Sequence, residues 1–462
     1  MIRRFLVLIL LASNAFAADP AVKLPIPELE TLPNGLEIAW FQNDAIPVTD
    51  FILLVRSGHR DDPTGKSGTI ELLANALERG SKGLTSQQMA ESIEKLGASR
   101  YINVEQDWLM IGVHGLAPDA PALLDWLSAV TLHPDFPDGE VKREHARIVD
   151  RWNHLEDYSD LTASLAFERV ISSGSTYYRN TVFSLDEFKG VSKKDVVSFY
   201  KKHFIPKGSM ILVVGRVNRS EVKNQILSTF GKWKPETSPA RDFKKGAWKH
   251  APAKNEILIV DRPGLTQVQV KIGFKAPPYK IPERYALAVG NSLFGEYFNS
   301  RLNSVIRDKM GLTYSITSGF NYNKEGASYS ITAATRNEVA GQLINKTLEM
   351  LKEFKKGPIS AEEVQLAKDY LVGGYPLTVS TLTAVASRWL TGRVFDLGPN
   401  YLNEFVPETS KVTQAEVEAA VKKYFDIDNL VITLACDYSA AKKSLEKEGF
   451  KKFKKIRVKD LI

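Results

Sequence analysis

The sequence is short of most residues and patterns that announce a chemistry. It has one cysteine in 462 residues, Cys436. No disulfide can close within the chain, and neither a cysteine-rich zinc module nor a CxxC redox pair can be written. Cys436 ends the apolar run that starts at Leu430, which reads as a buried strand thiol. The 7 histidines are His59, His114, His133, His145, His154, His203 and His250. No two stand four apart, so neither HExxH nor HxxEH occurs, and each reads as a surface or packing residue. GxGxxG, the P-loop lysine motif and the GxSxG elbow are missing too. Past the first residues no apolar run approaches about 18, so no membrane-spanning helix is expected there. The excess of 61 basic over 54 acidic residues is a mild +7, not the concentrated basic face of a nucleic-acid binder. The densest basic stretch, Lys451 to Lys459, reads as a solvated face; docking on an anionic membrane is the alternative.

What is present is ordinary globular composition: 44% hydrophobic, 10% aromatic and 25% charged. That excludes disorder and fibrous repeats. Arg3 and Arg4, the apolar stretch Phe5 to Leu11 and the small-x-small Ala15-Phe16-Ala17 predict an export signal over 1–17, cleaved before Ala18. The expected location is periplasmic or secreted, with an uncleaved anchor as the alternative.

The strongest organisational signal is an internal repeat. Val191 to Ile211 aligns without a gap on Val412 to Ile432, a shift of 221 positions, with Val196/Val417, Lys202/Lys423 and Phe204/Phe425 identical. Each copy opens on a hydroxyl residue with an acid three residues on (Ser192/Asp195, Thr413/Glu416), which predicts a capping box. Each helix ends in Lys-Lys, suited to its dipole, and a turn and an apolar strand follow. A shift near half the chain implies two copies of one large domain. The stretch 234–255, rich in Pro, Lys and small polar residues, reads as a linker. The divisions are therefore 18–233 and 256–462. Strands are predicted at Leu36–Phe41, Val48–Val55, Glu256–Val260 and Val268–Phe274, and hairpins over 99–114 and 314–335. Helices are predicted near 68–78, 86–95, 120–130, 138–151, 283–304, 340–354 and 361–371. Gly290-Asn291-Ser292 and Gly319-Phe320 read as turns, with the lining of a chamber as the alternative. The pattern is α+β in each half, mixed antiparallel strands with helices grouped around them.

Gly68 to Ser81 (GTIELLANALERGS) resembles the zinc-site helix of the pitrilysin/insulinase (inverzincin) peptidases, GxxHxxEHxxFxGT. The two histidine ligands of that motif fall on Glu71 and Asn75, and its general-base glutamate on Ala74. Two imidazoles four apart share one helix face and reach one zinc ion, and the glutamate between them takes a proton from zinc-bound water. Here the face keeps one carboxylate, no imidazole and no base. The family's distal glutamate ligand, about 75 residues later in the resemblance, falls near Asp150-Arg151-Trp152, where no Glu stands. The resemblance therefore implies no zinc in this chain. Asn299 to Ser315 (NSRLNSVIRDKMGLTYS) looks like the family's SRLxxxxRxxxGLxYS segment. Its Arg and Tyr fall on Arg307 and Tyr314, implying donors to the substrate carbonyl and the oxyanion over the zinc of the opposite half. On their own these two read as a helix-surface ion pair and a core aromatic on a strand. Phe230-Gly231-Lys232-Trp233 and Gly398-Pro399-Asn400-Tyr401-Leu402 also look like the family.

The resemblance implies two homologous domains, each a mostly antiparallel sheet with helices packed on one side, together half of a clamshell. It also implies a heterodimer: a partner with intact HxxEH supplies Zn²⁺ and base, and this chain supplies Arg307, Tyr314 and chamber wall for hydrolysis of unfolded peptides. Three alternatives stay open. They are a non-enzymatic scaffold or chaperone-like protein, an active peptidase with a metal site around Glu71, and a membrane-surface binder acting through the Lys-rich tail.

Overall fold

The structure is a computed structural model, and it describes residues 23–173, 183–234 and 257–461. The expected signal peptide and, but for Lys234, the expected linker lie outside them, as does His250.

Two six-stranded sheets carry the chain. The first is built from β1 (Glu28–Thr31), β2 (Glu37–Gln42), β3 (Val48–Val55), β4 (Ser99–Val104), β5 (Leu109–Leu116) and β6 (Met210–Gly215), in the order β1-β2-β6-β3-β5-β4. The second uses β7 (Ile257–Asp261), β8 (Gln267–Ala276), β9 (Ile316–Tyr322), β10 (Ala327–Arg336), β11 (Val431–Cys436) and β12 (Phe453–Arg457), in the order β9-β10-β8-β11-β7-β12. Read from the opposite edge, the second order repeats the first. In both, the strand carrying the sequence repeat (β6, β11) lies parallel to one neighbour and antiparallel to the other. The repeat in sequence is thus a repeat in space. Its capping boxes form in both copies: Ser192 and Thr413 accept from the N–H groups of Asp195 and Glu416, whose carboxylates accept from the cap N–H at 2.8 Å in each.

Only the outer edge strands differ in origin. β1 precedes its sheet and runs antiparallel to β2, whereas β12 closes the chain and runs parallel to β7. The Lys-rich tail is therefore an edge strand. Lys454 and Lys455 are exposed, and Lys455 pairs with Asp261 at 2.6 Å; lysines on an edge deter further strand pairing.

Each half gathers its own helices on one face of its sheet, which gives two separate large cores. The other face of each sheet is covered by a helix from the opposite half. Helix Leu382–Val394 lays Val385, Ala386, Trp389 and Leu390 on Phe41, Ile52, Leu54, Leu212 and Val214 of the first sheet. Trp389 meets Phe41 edge-on at 5.6 Å. In return, helix Ser159–Ile171 lays Ala163, Ala166, Phe167 and Ile171 on Leu258, Val260, Val431 and Ala435 of the second. Gly273 permits this approach: a Cβ there would lie 2.8 Å from the Phe167 ring and 1.9 Å from the Tyr329 carbonyl oxygen.

Two local readings change. Gly290-Asn291-Ser292 runs through the junction of helix Arg284–Asn291 with the π-helical Ser292–Glu296, and Gly319-Phe320 sits inside β9. Neither is a turn. Gly290 is small because Val421 would meet a Cβ at 3.0 Å.

Candidate functional site

The helix that resembles the zinc-site helix runs Thr69–Ala76. Gly68 precedes it at φ +80°, and a Cβ there would lie 2.6 Å from the Phe183 ring. Gly68 has no side chain to cap the helix, so Asp62 does the work: its carboxylate accepts from Gly68 N–H at 2.7 Å and Ile70 N–H at 2.8 Å. Burial nevertheless pushes the Asp62 carboxyl up to about 7, with the two N–H donors pulling the other way. The helix forms one wall of a cleft of about 740 Å³. The free edge of β4 forms the facing wall, and Trp152 stacks on Phe183 at 4.2 Å among the lining residues. His59 also lines it, and burial holds its imidazole down at about 4.

Glu71, Ala74 and Asn75 all line this cleft, as their shared helix face requires. The two polar ones each meet an arginine. Glu71 accepts from the Arg151 guanidinium. The Asn75 side-chain oxygen accepts from Arg147 Nη2 at 3.1 Å, and its Nδ2 donates to the Glu71 carbonyl at 2.8 Å. Arg147 and Arg151 lie one turn apart on helix Asp138–Asn153, the stretch where the resemblance places the distal glutamate. Burial raises the Glu71 carboxyl above its usual range, offset in part by Arg151. A zinc ion needs several converging imidazole, thiolate or carboxylate donors. Here two guanidinium groups hold the two former ligand positions, so the donor set does not fit the ion. Among the described residues no group of three or more His, Cys, Asp or Glu converges elsewhere. His145 binds the Phe188 carbonyl at 3.0 Å and His114 meets Asp50 at 2.8 Å.

Glu71, Ala74 and Asn75 are readable from the motif, whereas Arg147 is not part of it. Arg151 stands in the motif only where the distal glutamate is missing. The i, i+4 spacing of Arg147 and Arg151 puts two long cations on one helix face, but it names no neighbour for that face.

In the second half, Arg307 lies on the π-helical segment Asn303–Lys309. Its Nε donates to Asp308 at 2.7 Å, and its guanidinium sits 3.5 Å from the centre of the Phe298 ring. Asp308 is held below the usual carboxylate range by that bond. Tyr314 is not a core aromatic. It is 95% exposed on the short loop before β9. Thr313 pins that loop by donating to Ser315 O or Ala334 O, at 2.8 and 2.6 Å. Arg301, from the same motif, is structural: it grips Glu363 in a two-pronged ion pair at 2.6 and 2.8 Å and ties the motif to helix Ala361–Thr378.

Among the described residues no helix is long and apolar enough to cross a membrane. The family model described as insulinase (peptidase family M16) matches residues 39–181. The one described as the peptidase M16 inactive domain matches residues 190–371. The chain is 23% identical to the zinc protease PqqE of Helicobacter pylori over 362 residues, covering 75% of this chain and 78% of the relative. It is 23% identical to the mitochondrial cytochrome b-c1 complex subunit 2 of Mus musculus over 421 residues, 88% of this chain and 90% of that one. Among solved structures, a peptidase M16 inactive domain from Pseudomonas fluorescens superposes with a TM-score of 0.80 at 20% identity, covering 89% of this chain and 98% of the other. A protease from Helicobacter pylori gives 0.78 at 20% identity, with 89% and 100% covered. The two sheets with their mirrored strand order, the degenerate helix and these matches place the chain in the pitrilysin/insulinase family, peptidase family M16.

Proposed function

We propose that this chain is the zinc-free subunit of a periplasmic heterodimeric metallopeptidase, contributing substrate-binding and transition-state-stabilising residues to a partner that carries HxxEH. The observation that carries the reading is a contrast between the halves. In the first, both former ligand positions are held by arginines. In the second, Arg307 is steadied by Phe298 and Asp308, and Tyr314 is held out in solvent. A guanidinium and a phenol both donate hydrogen bonds without changing protonation at neutral pH. Aimed at a carbonyl under attack, they stabilise the charge that develops on its oxygen. Metal and general base come from the partner. Unfolded peptides are the substrate class, and the exported location rests on the signal expected at 1–17.

The test is co-expression with an exported HxxEH chain of similar size, followed by peptide hydrolysis with and without a chelator. In the assembled complex, Arg307→Ala and Tyr314→Phe should each lower kcat by about tenfold or more, the usual scale for a lost oxyanion donor, while the complex still forms. Wild-type turnover in both variants would remove the proposed role.

A further inference from the structure

The second half has its own cleft of about 590 Å³. It occupies the place that the degenerate cleft occupies in the first half: helix Arg284–Asn291 and its π-helical continuation on one side, the free edge of β9 on the other. Its lining differs in kind. Tyr279, Tyr285, Phe320, Tyr322, Tyr375 and Phe405 make it an aromatic slot. Tyr279 and Tyr322 stack at 4.3 Å, and burial raises both phenols above their usual range, so they stay protonated and able to donate.

The charges do not cancel. Arg284 is paired with Glu404 at 3.3 Å. Glu296, the acid in the lining, takes a hydrogen bond from Asn291 at 3.0 Å, and burial raises its carboxyl, which disfavours its charge. That leaves Arg388. Its guanidinium lies 4.7 Å from the Tyr375 ring centre and 4.9 Å from that of Phe405. Its Nε is buried without a partner, and among the described residues no carboxylate lies within 4.0 Å of it. Set beside the stacked Tyr375 and Phe405 rings, this planar cation presents a fork suited to a two-pronged oxyanion such as a carboxylate. Beside it, Gly319 in the middle of β9 would carry a Cβ into open space. A glycine of this kind on an edge strand leaves room for another backbone to approach.

We infer that this cleft is a non-catalytic binding site for the C-terminal end of a peptide, with the terminal carboxylate on Arg388, an aromatic last side chain in the tyrosine slot and the preceding backbone along β9. The site is complete within one chain, so it stands or falls apart from the heterodimer reading.

The test uses the full mature chain and fluorescence anisotropy. The probe is an N-terminally fluorescein-labelled alanine tripeptide extended by a C-terminal phenylalanine, as free acid and as amide. The acid should bind about tenfold or more tighter than the amide, the scale of a two-pronged charge-assisted contact. Arg388→Gln should abolish that preference while leaving amide binding within about twofold, which also reports an intact slot. Gly319→Val has space for its side chain and keeps the charge, so it checks the site even if Arg388→Gln fails to fold. It should weaken acid and amide alike by about tenfold. Equal binding of acid and amide, no binding of the acid at millimolar concentration, a preference surviving in Arg388→Gln, or wild-type binding in Gly319→Val would each overturn the inference. So would 3-phenylpropionate binding as tightly as the peptide, since that would make a small aromatic acid the ligand.

Discussion

At the scale of single residues, the positions that the resemblance assigns to metal ligands carry other contacts: Arg151 meets Glu71 and Arg147 meets Asn75. Losing the imidazoles from positions 71 and 75 was legible in the sequence. The arginines that now reach those positions were not, because the contact joins residues 72 and 80 positions apart in the chain and depends on how two helices pack. Those contacts predict the behaviour of a restored motif. A chain carrying Glu71→His, Ala74→Glu and Asn75→His should bind no stoichiometric zinc, measured by metal analysis after dialysis. Arg147 and Arg151 still repel a cation at close range, and the distal glutamate is still missing. Stoichiometric zinc in that triple variant would show that the arginines move aside at little cost.

His59 gives a pH-dependent counterpart in the same cleft. Its folded value of about 4 lies below the ordinary value of 6.5. As pH falls through about 6.5 the unfolded chain takes up a proton that the folded chain refuses until about 4, so folding weakens across that window. Asp62 works in the opposite sense. Its folded value of about 7 means that the folded chain holds a proton first, so acidification from about 7 to 4 strengthens folding through that group. Because the two offset each other, the wild-type profile alone is uninformative and the variant separates them. His59→Gln should gain stability relative to wild type by about 3 kcal/mol between pH 7.5 and pH 4, since each pH unit separating the folded from the unfolded value is worth about 1.4 kcal/mol. Urea denaturation at several pH values measures this, and parallel profiles for the two proteins would contradict it.

At the scale of elements, the repeat made the fold readable. Helix Lys193–His203 with β6 and helix Gln414–Tyr424 with β11 keep the offset of 221 in structure. Their caps are local chemistry that a sequence can show: hydroxyl, acid, then an apolar stripe. Ser192→Ala and Thr413→Ala should each cost about 1 kcal/mol in urea unfolding. The double variant should cost the sum, because the two caps lie in different halves and share no partner. A cost below about 0.3 kcal/mol in both would mean that neighbouring polar groups take over the freed N–H groups. Less readable was what covers the far face of each sheet. The clue was present in β3, β6 and β11 (VTDFILLV, MILVVG and VITLAC), which run apolar almost without alternation. Such runs belong to strands buried on both faces. The sequence names no occupant for the second face, because helices Ser159–Ile171 and Leu382–Val394 are far away along the chain and carry weakly one-sided patterns. The aromatic cleft escaped sequence reading for the same reason: Arg388, Tyr279 and Gly319 come together only when three segments pack.

At the scale of the whole molecule, the exchange of helices makes the two halves interdependent despite their separate cores. Residues 18–233 alone would leave Phe41, Ile52, Leu54, Leu212 and Val214 open to water where Trp389 and Leu390 now lie. They would also expose the Phe167 face of the helix they lend to the other half. Residues 256–462 alone would suffer the converse. Each large apolar side chain returned to water costs about 1.5–3 kcal/mol, so several such losses match the whole stability of an ordinary domain, about 5–15 kcal/mol. Expressed separately, neither half should give a soluble monomer with a cooperative thermal transition by circular dichroism. Expressed together, they should co-purify as a one-to-one pair on size exclusion and unfold in a single transition. A well-folded lone half would show that the exchanged helices are ornaments on self-sufficient domains. If the halves are locked as the packing requires, this chain cannot open between its two halves. In the heterodimer proposed above, the movement that admits a peptide would then take place between this chain and its partner.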